Sequence, residues 1–147
     1  MSLVSTSTDL PTMSTFDVTI SIPRTRLYSM MVSANEQGSG YWARVIRESV
    51  PLDPDVSWMD DPEDIKRWPQ HGAALCGGKV IYGVLDDSTG RVGRKRYTLD
   101  ADAIRQGLKV MQEQEPRHFA AFISEEDDAE TADVFLQCCL LGKVVYG

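Results

Sequence analysis

The chain has 147 residues, of which 42% are hydrophobic and 25% are charged, and this balance is ordinary for a soluble globular domain. Its formal net charge is −7, which repels a phosphate backbone, so nucleic acid is not expected as a general partner. Three cysteines are too few for a disulfide scaffold and favour a reducing compartment. No apolar run reaches the length of a membrane helix, so no membrane partner is expected.

The composition changes near residue 15, and two regions are predicted. Residues 1–15 are rich in Ser and Thr and show no periodicity, which predicts a flexible extension. Residues 16–147 contain neither an internal repeat nor a linker long enough to separate domains. They are therefore predicted to form a single α+β domain.

The first part of this domain is predicted to hold a helix between two strands. Residues 16–22 alternate apolar and polar side chains, which is typical of a half-buried strand. Apolar residues then recur at helical spacing and predict an amphipathic helix over residues 24–35. Aromatic and β-branched residues predict a second strand over residues 41–47. Prolines interrupt residues 48–72, where a short helix is the most regular element expected.

The next part carries two or three further strands. Residues 73–76 and 79–85 flank a Gly-Gly pair that suits a tight turn. The polar cluster at residues 86–90 predicts a second turn, and residues 91–99 are predicted to return as the partner strand.

Helices are predicted in the remainder of the chain. Asp100 is a suitable N-cap for a helix, and Pro116 can open a second, shorter one. Residues 134–141 are almost wholly apolar, so the helix that contains them is expected to be buried. Asp127 is the predicted N-cap of this last helix and Gly142 its predicted end. The segregation of strands and helices predicts an α+β fold, with an antiparallel sheet of about four strands packed against three to four helices.

One basic cluster stands out in this acidic chain. It surrounds the predicted second turn, and two further arginines come from the strand at residues 41–47. Guanidinium groups bind phosphates and carboxylates well, so these side chains are candidates for binding an anion. The alternative is that they protect the edge of the sheet from unwanted pairing. The candidate residues are Arg91, Arg94, Lys95, Arg96, Arg44 and Arg47.

Trp42 completes the set of ligand-binding candidates. It follows the flexible sequence Gly38-Ser39-Gly40 and can present an aromatic platform to a ligand. The alternative is an ordinary core position on the second strand.

The acidic residues before the last helix are candidates for a second kind of site, because carboxylates bind Mg²⁺ and Ca²⁺. Their spacing does not match a calcium-binding loop, and helix capping and solvation are the preferred explanation. No catalytic residues, metal site or cofactor are predicted, since no nucleophile, zinc, phosphate-loop or dinucleotide motif is present. This favours a protein without catalytic activity and leaves an enzyme open. The acidic residues are Glu125, Glu126, Asp127, Asp128, Glu130 and Asp133.

Two stretches resemble known proteins. Residues 36–42, Glu-Gln-Gly-Ser-Gly-Tyr-Trp, resemble a Glu-Gly-Gly-Ser-Asn-Tyr-Trp motif near the start of small uncharacterised proteins of tailed phages and prophages. Residues 127–147 are similar to the ending of the same proteins, and residues 99–122 also fit. The chain departs from the family pattern at Gln37, Gly40 and Leu141, and in its Ser/Thr-rich extension. The resemblance implies no particular activity and no catalytic residue for this chain.

The resemblance implies an accessory protein of phage or prophage origin that acts in the cytosol of a bacterial host. Combined with the absence of catalytic motifs, it leads to the hypothesis of a counter-defence binding protein. Such a protein would sequester an anionic, nucleotide-like molecule or block a host protein. The alternative is a small metal-assisted phosphoester hydrolase that uses the acidic cluster. A homo-oligomer is left open.

Overall fold

A computed structural model describes residues 14–147 of the chain. The flexible extension predicted for residues 1–15 lies almost wholly outside the described residues. The first helix, α1, spans Arg24–Ser33 and continues into a single π-helical turn, Ala34–Gly38. The predicted helix over residues 24–35 is therefore confirmed, and its predicted apolar side chains Leu27, Met30 and Met31 are buried.

Three strands form one antiparallel sheet in the order β1-β2-β3. They are β1 (Ala43–Ser49), β2 (Lys79–Leu85) and β3 (Val92–Leu99). The register shifts between Val45 and Arg47 in β1, and between Gly83 and Leu85 in β2. These irregularities determine which side chains of β1 and β3 face away from the helices.

The strand predicted over residues 16–22 is wrong for this structure. Within residues 14–147, this segment belongs to no strand. Phe16 is 97% exposed and Val18 is 81% exposed. Alternation alone specifies an extended chain with one apolar side, and a strand also needs a neighbour with which to pair. The described sheet thus has three strands where about four were predicted.

The second correction concerns residues 73–76, which were predicted as a strand. Ala73–Leu75 form a 3-10 turn that follows two short helices, α2 (Asp64–Arg67) and α3 (Pro69–Gly72). All three residues of the turn are buried. A short run that is apolar throughout does not distinguish a strand from a helical turn.

Three helices follow the sheet: α4 (Ala101–Gln114), α5 (Pro116–Ile123) and α6 (Ala129–Leu141). Asp100 caps α4 as predicted, with its Oδ1 accepting from the Ala103 N–H at 2.9 Å. The packing of α4 on α6 depends on Gly107, where an added Cβ would lie 2.3 Å from Cys139 Sγ. The buried C-terminal helix is confirmed, because residues 131–138 of α6 are all buried.

The cap of α6 is shifted by one residue from the prediction. Asp128 accepts from the Thr131 N–H at 2.9 Å, whereas Asp127 binds Arg26 Nη2 at 2.6 Å. Gly142 ends the helix with φ of 74°, as predicted for a left-handed terminal residue. Residues 14–147 form an α+β fold with six helices beside the three-stranded sheet. Among residues 14–147, no helix has the length and apolar character needed to cross a membrane.

Candidate functional site: the outer face of the sheet

The two faces of the sheet have different neighbours. Val45, Tyr82 and Tyr97 lie in one row across the three strands, and all three belong to the hydrophobic core. Side chains alternate between the faces along a strand, so the adjacent rows point away from this core. We call that side the outer face. Its residues are Arg44, Ile46, Arg47, Ile81, Gly83, Val92, Arg96 and Thr98.

Arginines flank the centre of the outer face. Gly83 of β2 pairs with Arg44 of β1 on one side and with Arg96 of β3 on the other. In the next row, Ile81 pairs with Arg47 and with Thr98. Antiparallel pairing thus brings together cations that are about 50 residues apart in the chain.

Two aliphatic side chains cover Gly83. A Cβ added at Gly83 would lie 2.3 Å from Val92 Cγ1 and 3.2 Å from Ile46 Cδ1, which shows that both side chains fold over this position. Ile46 is 39% exposed and Val92 is 36% exposed. The centre of the outer face is therefore apolar and partly exposed, with arginines around it.

The charges of this face are not neutralised by neighbouring carboxylates. Elsewhere in the described chain, Arg24, Arg26, Arg67 and Arg105 each form an ion pair with an aspartate. Among residues 14–147, no ion pair forms at the six basic candidates of the sheet and hairpin, which are Arg44, Arg47, Arg91, Arg94, Lys95 and Arg96. Cations without a counter-ion are available to an acidic partner.

Backbone carbonyl groups hold two of these guanidinium groups. Arg96 Nη1 donates to the Gly93 carbonyl at 2.6 Å. Arg44 Nη1 donates to the carbonyl of Gly40 and, at 2.9 Å, to that of Ala43. A carbonyl orients a guanidinium without cancelling its charge. Each of the two guanidinium groups makes two such bonds, so three of its five N–H donors remain for another ligand.

The structure separates the other candidates from this group. Arg91 lies at the hairpin turn, where its carbonyl accepts from the Asp86 N–H at 2.7 Å. Arg94 lies in the irregular part of β3, where the register shifts. Lys95 has its Nζ 5.2 Å from the centroid of the Tyr97 ring, and Tyr97 belongs to the core-facing row. The outer face therefore unites Arg44, Arg47 and Arg96, while Lys95 points to the opposite side.

Trp42 occupies a core position, which is the second of the two roles considered for it from the sequence. It is 1% exposed and belongs to the core. Its indole Nε1 donates to Asp133 Oδ1 at 2.7 Å, and its ring stacks on Tyr146 with centroids 5.2 Å apart. It is therefore unavailable as a platform on the outer face.

Asp133 is the centre of a buried polar network that the sequence did not reveal. Its carboxylate accepts from Ser39 Oγ at 2.8 Å, Tyr41 OH at 2.6 Å and Trp42 Nε1 at 2.7 Å. Gln137 Nε2 adds a fourth donor at 3.2 Å. We call these five residues the Asp133 network. A buried carboxylate is tolerated where several donors satisfy it, as they do here.

Gln137 extends this network to the last residues of the chain. Its Oε1 accepts from the N–H groups of Val145 at 2.7 Å and Tyr146 at 2.8 Å. Its Nε2 donates to the Tyr146 carbonyl at 3.1 Å. Gln137 thereby holds the backbone of Val145 and Tyr146 beside α6. The residues that carry the resemblance, 36–42 and 127–147, meet at Asp133.

The acidic cluster before α6 does not act as one unit. Asp127 pairs with Arg26, Asp128 caps the helix and Asp133 lies inside the network. Within the described residues, no group of three or more His, Cys, Asp or Glu side chains is arranged to hold a metal ion. His118 Nδ1 lies 3.0 Å from Thr131 Oγ1 at the side of this region.

Burial shifts the pKa values of His71 and of the three cysteine thiols. His71 is 4% exposed, and burial lowers its pKa although Glu36 Oε2 lies 3.5 Å from its Nε2. Burial also raises the pKa of the thiols of Cys76, Cys138 and Cys139. Thiols with raised pKa values are poor nucleophiles near neutral pH.

The outer face is a surface and not a pocket. Arg47, Arg94 and Arg96 line none of five cavities found among residues 14–147, and Arg44 borders one of about 260 Å³. One of these, a groove of about 620 Å³, is lined by residues of the extended segment, α1 and α4. Comparison of the chain with family models, curated proteins and solved structures finds no match.

Proposed function

We propose that this chain is a binding protein whose outer face contacts an acidic surface of another protein. The observation that carries the proposal is the grouping of three arginines without carboxylate partners around the exposed aliphatic centre formed by Ile46 and Val92. Protein interfaces combine an apolar centre with a polar rim in which arginine is enriched. The outer face has this arrangement.

The shape of the face favours a protein over a small anionic molecule. Sites that retain a small molecule are concave and enclose most of its surface. Arg47 and Arg96 lie on the open sheet and line none of the five cavities of the described chain. Arg44 borders one of about 260 Å³, which is smaller than a typical ligand pocket. Of the two functions expected from sequence, blocking a protein is thus better supported than sequestering a nucleotide-like ligand.

The charge of the chain supports an electrostatic mode of binding. The molecule has a net charge of −7, so its basic face is a local reversal of sign. Such a dipolar distribution orients an approaching acidic partner and raises the association rate, while the rest of the surface repels it. The resemblance of residues 36–42 and 127–147 to phage and prophage proteins supports a host bacterial protein as the partner, and hence a counter-defence role in the host cytosol.

The experiment is site-specific photo-crosslinking in bacterial cells. The photoreactive amino acid benzoylphenylalanine replaces Ile46 in one variant and Leu52 in the other. Leu52 is the matched control, because it is also an exposed apolar residue and lies outside the sheet. We expect position 46 to give a discrete adduct with an acidic protein and position 52 to give none. Equal adducts from both positions, or an adduct with nothing but a second copy, would contradict the proposal.

Calorimetry tests the small-molecule alternative directly. Titration with cyclic and linear nucleotides should give no saturable heat if the outer face recognises a protein. Micromolar binding that is lost in the Arg44→Gln/Arg96→Gln variant would instead place a nucleotide-like ligand on this face.

A further inference from the structure

The segment of residues 14–22, which we call the arm, is apolar along one side and unpaired. Phe16, Val18 and Ile20 are 97%, 81% and 47% exposed. Within the described chain, no residue of the arm forms a backbone–backbone hydrogen bond. Its alternating sequence is typical of a strand with one buried face. The arm therefore has the sequence of a strand without the neighbour that a strand requires.

The arm is fixed at one end. Ile22 packs against the core, and Val18, Ile20 and Ile22 line a groove together with Leu108 of α4. Pro23 then leads directly into α1. The arm is thus anchored at its Ile22 end, and its apolar side becomes more exposed toward Phe16.

The same chain offers a place where such a strand can pair. The sheet of the described residues has the order β1-β2-β3, so β1 and β3 each have one edge without a neighbouring strand. An unpaired edge presents N–H and C=O groups that bind any compatible extended segment. When one molecule has both a free strand and a free edge, the strand of each of two copies can pair with the edge of the other.

Charge distinguishes the two edges. The sequence of β3 contains Arg94, Lys95 and Arg96 and no carboxylate, whereas β1 contains Glu48 besides its arginines. Asp17 is the single charged residue of the arm. Pairing with β3 would place Asp17 on the side of the arginines. Phe16 and Val18 would then lie on the side of Tyr97, whose ring is partly buried against the core.

We propose that the arm of one copy adds to the β3 edge of a second copy, and that the reciprocal exchange forms a homodimer. The contact uses the backbone edge of β3 and the apolar side of the arm. It also places Asp17 beside the arginines of the outer face. The dimer does not rest on the proposed function, because the arm can pair with this edge whether or not the outer face binds another protein.

Sedimentation velocity over a range of protein concentrations tests the proposal with one pair of variants. We expect the parent to form a concentration-dependent dimer and Val18→Asp to be monomeric. The matched control is Thr19→Asp, which adds the same charge on the opposite side of the arm, beside the arginines, and should leave the dimer intact. Val18 is largely exposed in the single chain, so its substitution should leave the melting temperature of the monomer unchanged.

Hydrogen exchange gives a second, local readout. In the parent, the amides of residues 15–21 and of the β3 edge should be protected at concentrations that favour the dimer, and the protection should disappear in Val18→Asp. A parent that stays monomeric even at millimolar concentration would overturn the proposal. So would a dimer that persists in Val18→Asp, or one that both variants dissociate equally.

Discussion

The Asp133 network and the outer face both concentrate polar groups, but they do so in opposite ways. In the network, each donor and acceptor is directed at another residue of the same chain, and the carboxylate of Asp133 is buried. On the outer face, the guanidinium groups have no carboxylate partner in the described chain and remain exposed. A polar group that is fully satisfied inside the molecule stabilises one structure, whereas a charge left unsatisfied at the surface is available to a partner. The Asp133 network therefore contributes to stability, and the outer face is the region available for binding.

The largest expected effect is the loss of the central carboxylate. Asp133→Ala would leave the buried Trp42 indole and Ser39 hydroxyl without an acceptor, and each such group costs about 1–3 kcal/mol. We therefore expect the free energy of unfolding to fall by about 3–5 kcal/mol. Urea denaturation of the purified variant measures this. A loss comparable with that of a typical surface substitution would show that the network does not stabilise the fold.

A pair of glycines compares the two regions with the same substitution. In Gly38→Ala, the new methyl group would lie 2.3 Å from the Ala129 carbonyl oxygen, which is backbone, and 3.3 Å from Asp133 Cβ. In Gly83→Ala, the 2.3 Å contact is with Val92 Cγ1, the end of a side chain at the surface. Backbone yields less readily than an exposed methyl group.

We expect Gly38→Ala to lower the free energy of unfolding by about 2–3 kcal/mol and Gly83→Ala by about 1 kcal/mol or less. Denaturation of both variants under the same conditions measures the difference. The reverse order of the two values would mean that the outer face is the more tightly packed region.

Tyr41 links the network to pH. Burial, followed by the hydrogen bond to Asp133, raises the pKa of Tyr41 from its usual 10.0 to about 12. The folded state therefore holds this proton more tightly than the unfolded state, and stability is lost as pH rises from about 10 through 12. Because Tyr41 is half exposed, solvent reduces the size of the effect.

Tyr41→Phe removes this contribution and should flatten the decline in stability between pH 10 and pH 12. The comparison with the parent matters, because burial also raises the pKa of Tyr28 and Tyr82 and both remain in the variant. Melting temperatures of the two proteins across this pH range provide the measurement. If the melting temperatures of the two proteins fell in parallel with pH, the titration of Tyr41 would not contribute to the pH dependence of stability.

The smallest effect on stability is expected on the outer face. Arg44→Gln/Arg96→Gln removes two exposed charges that have no carboxylate partner within the described residues, and surface substitutions of this kind change stability little. The denaturation midpoint should match that of the parent within error. A clear loss of stability would indicate that these arginines support the sheet and that their exposure does not reflect a binding role.

The sequence predicted the elements whose signals are local. The helix at α1, the strands β2 and β3, the Asp100 cap and the Gly142 end were all predicted from patterns within a few residues. The strand predicted at residues 73–76 was wrong because a short apolar run is ambiguous, and two other errors depend on distant contacts. Asp127 and Asp128 are equally good caps in sequence, and the choice falls on Asp128 because Asp127 binds Arg26, which is 101 residues away. Alternation in residues 16–22 could not show whether a neighbouring strand is present.

The candidate site was predictable in part for the same reason. The basic residues could be identified as a group, since antiparallel pairing of their strands brings Arg44, Arg47 and Arg96 together. Lys95 faces the other side because it alternates with Arg96 along β3. The separation of Arg94 depends on a register shift, and the burial of Trp42 depends on Asp133, 91 residues away. Asp133 itself was hidden among acidic neighbours, and its single sequence signal is its position beside the apolar run of α6.

The most direct test of the division between the two regions is the yield of the photo-crosslinked adduct at position 46 when Arg44 and Arg96 are replaced by Gln. The account predicts that the adduct falls to background while the denaturation midpoint stays that of the parent, because these charges serve binding and not folding. An undiminished adduct in the double variant would contradict the proposal that the arginines of the outer face recognise the partner.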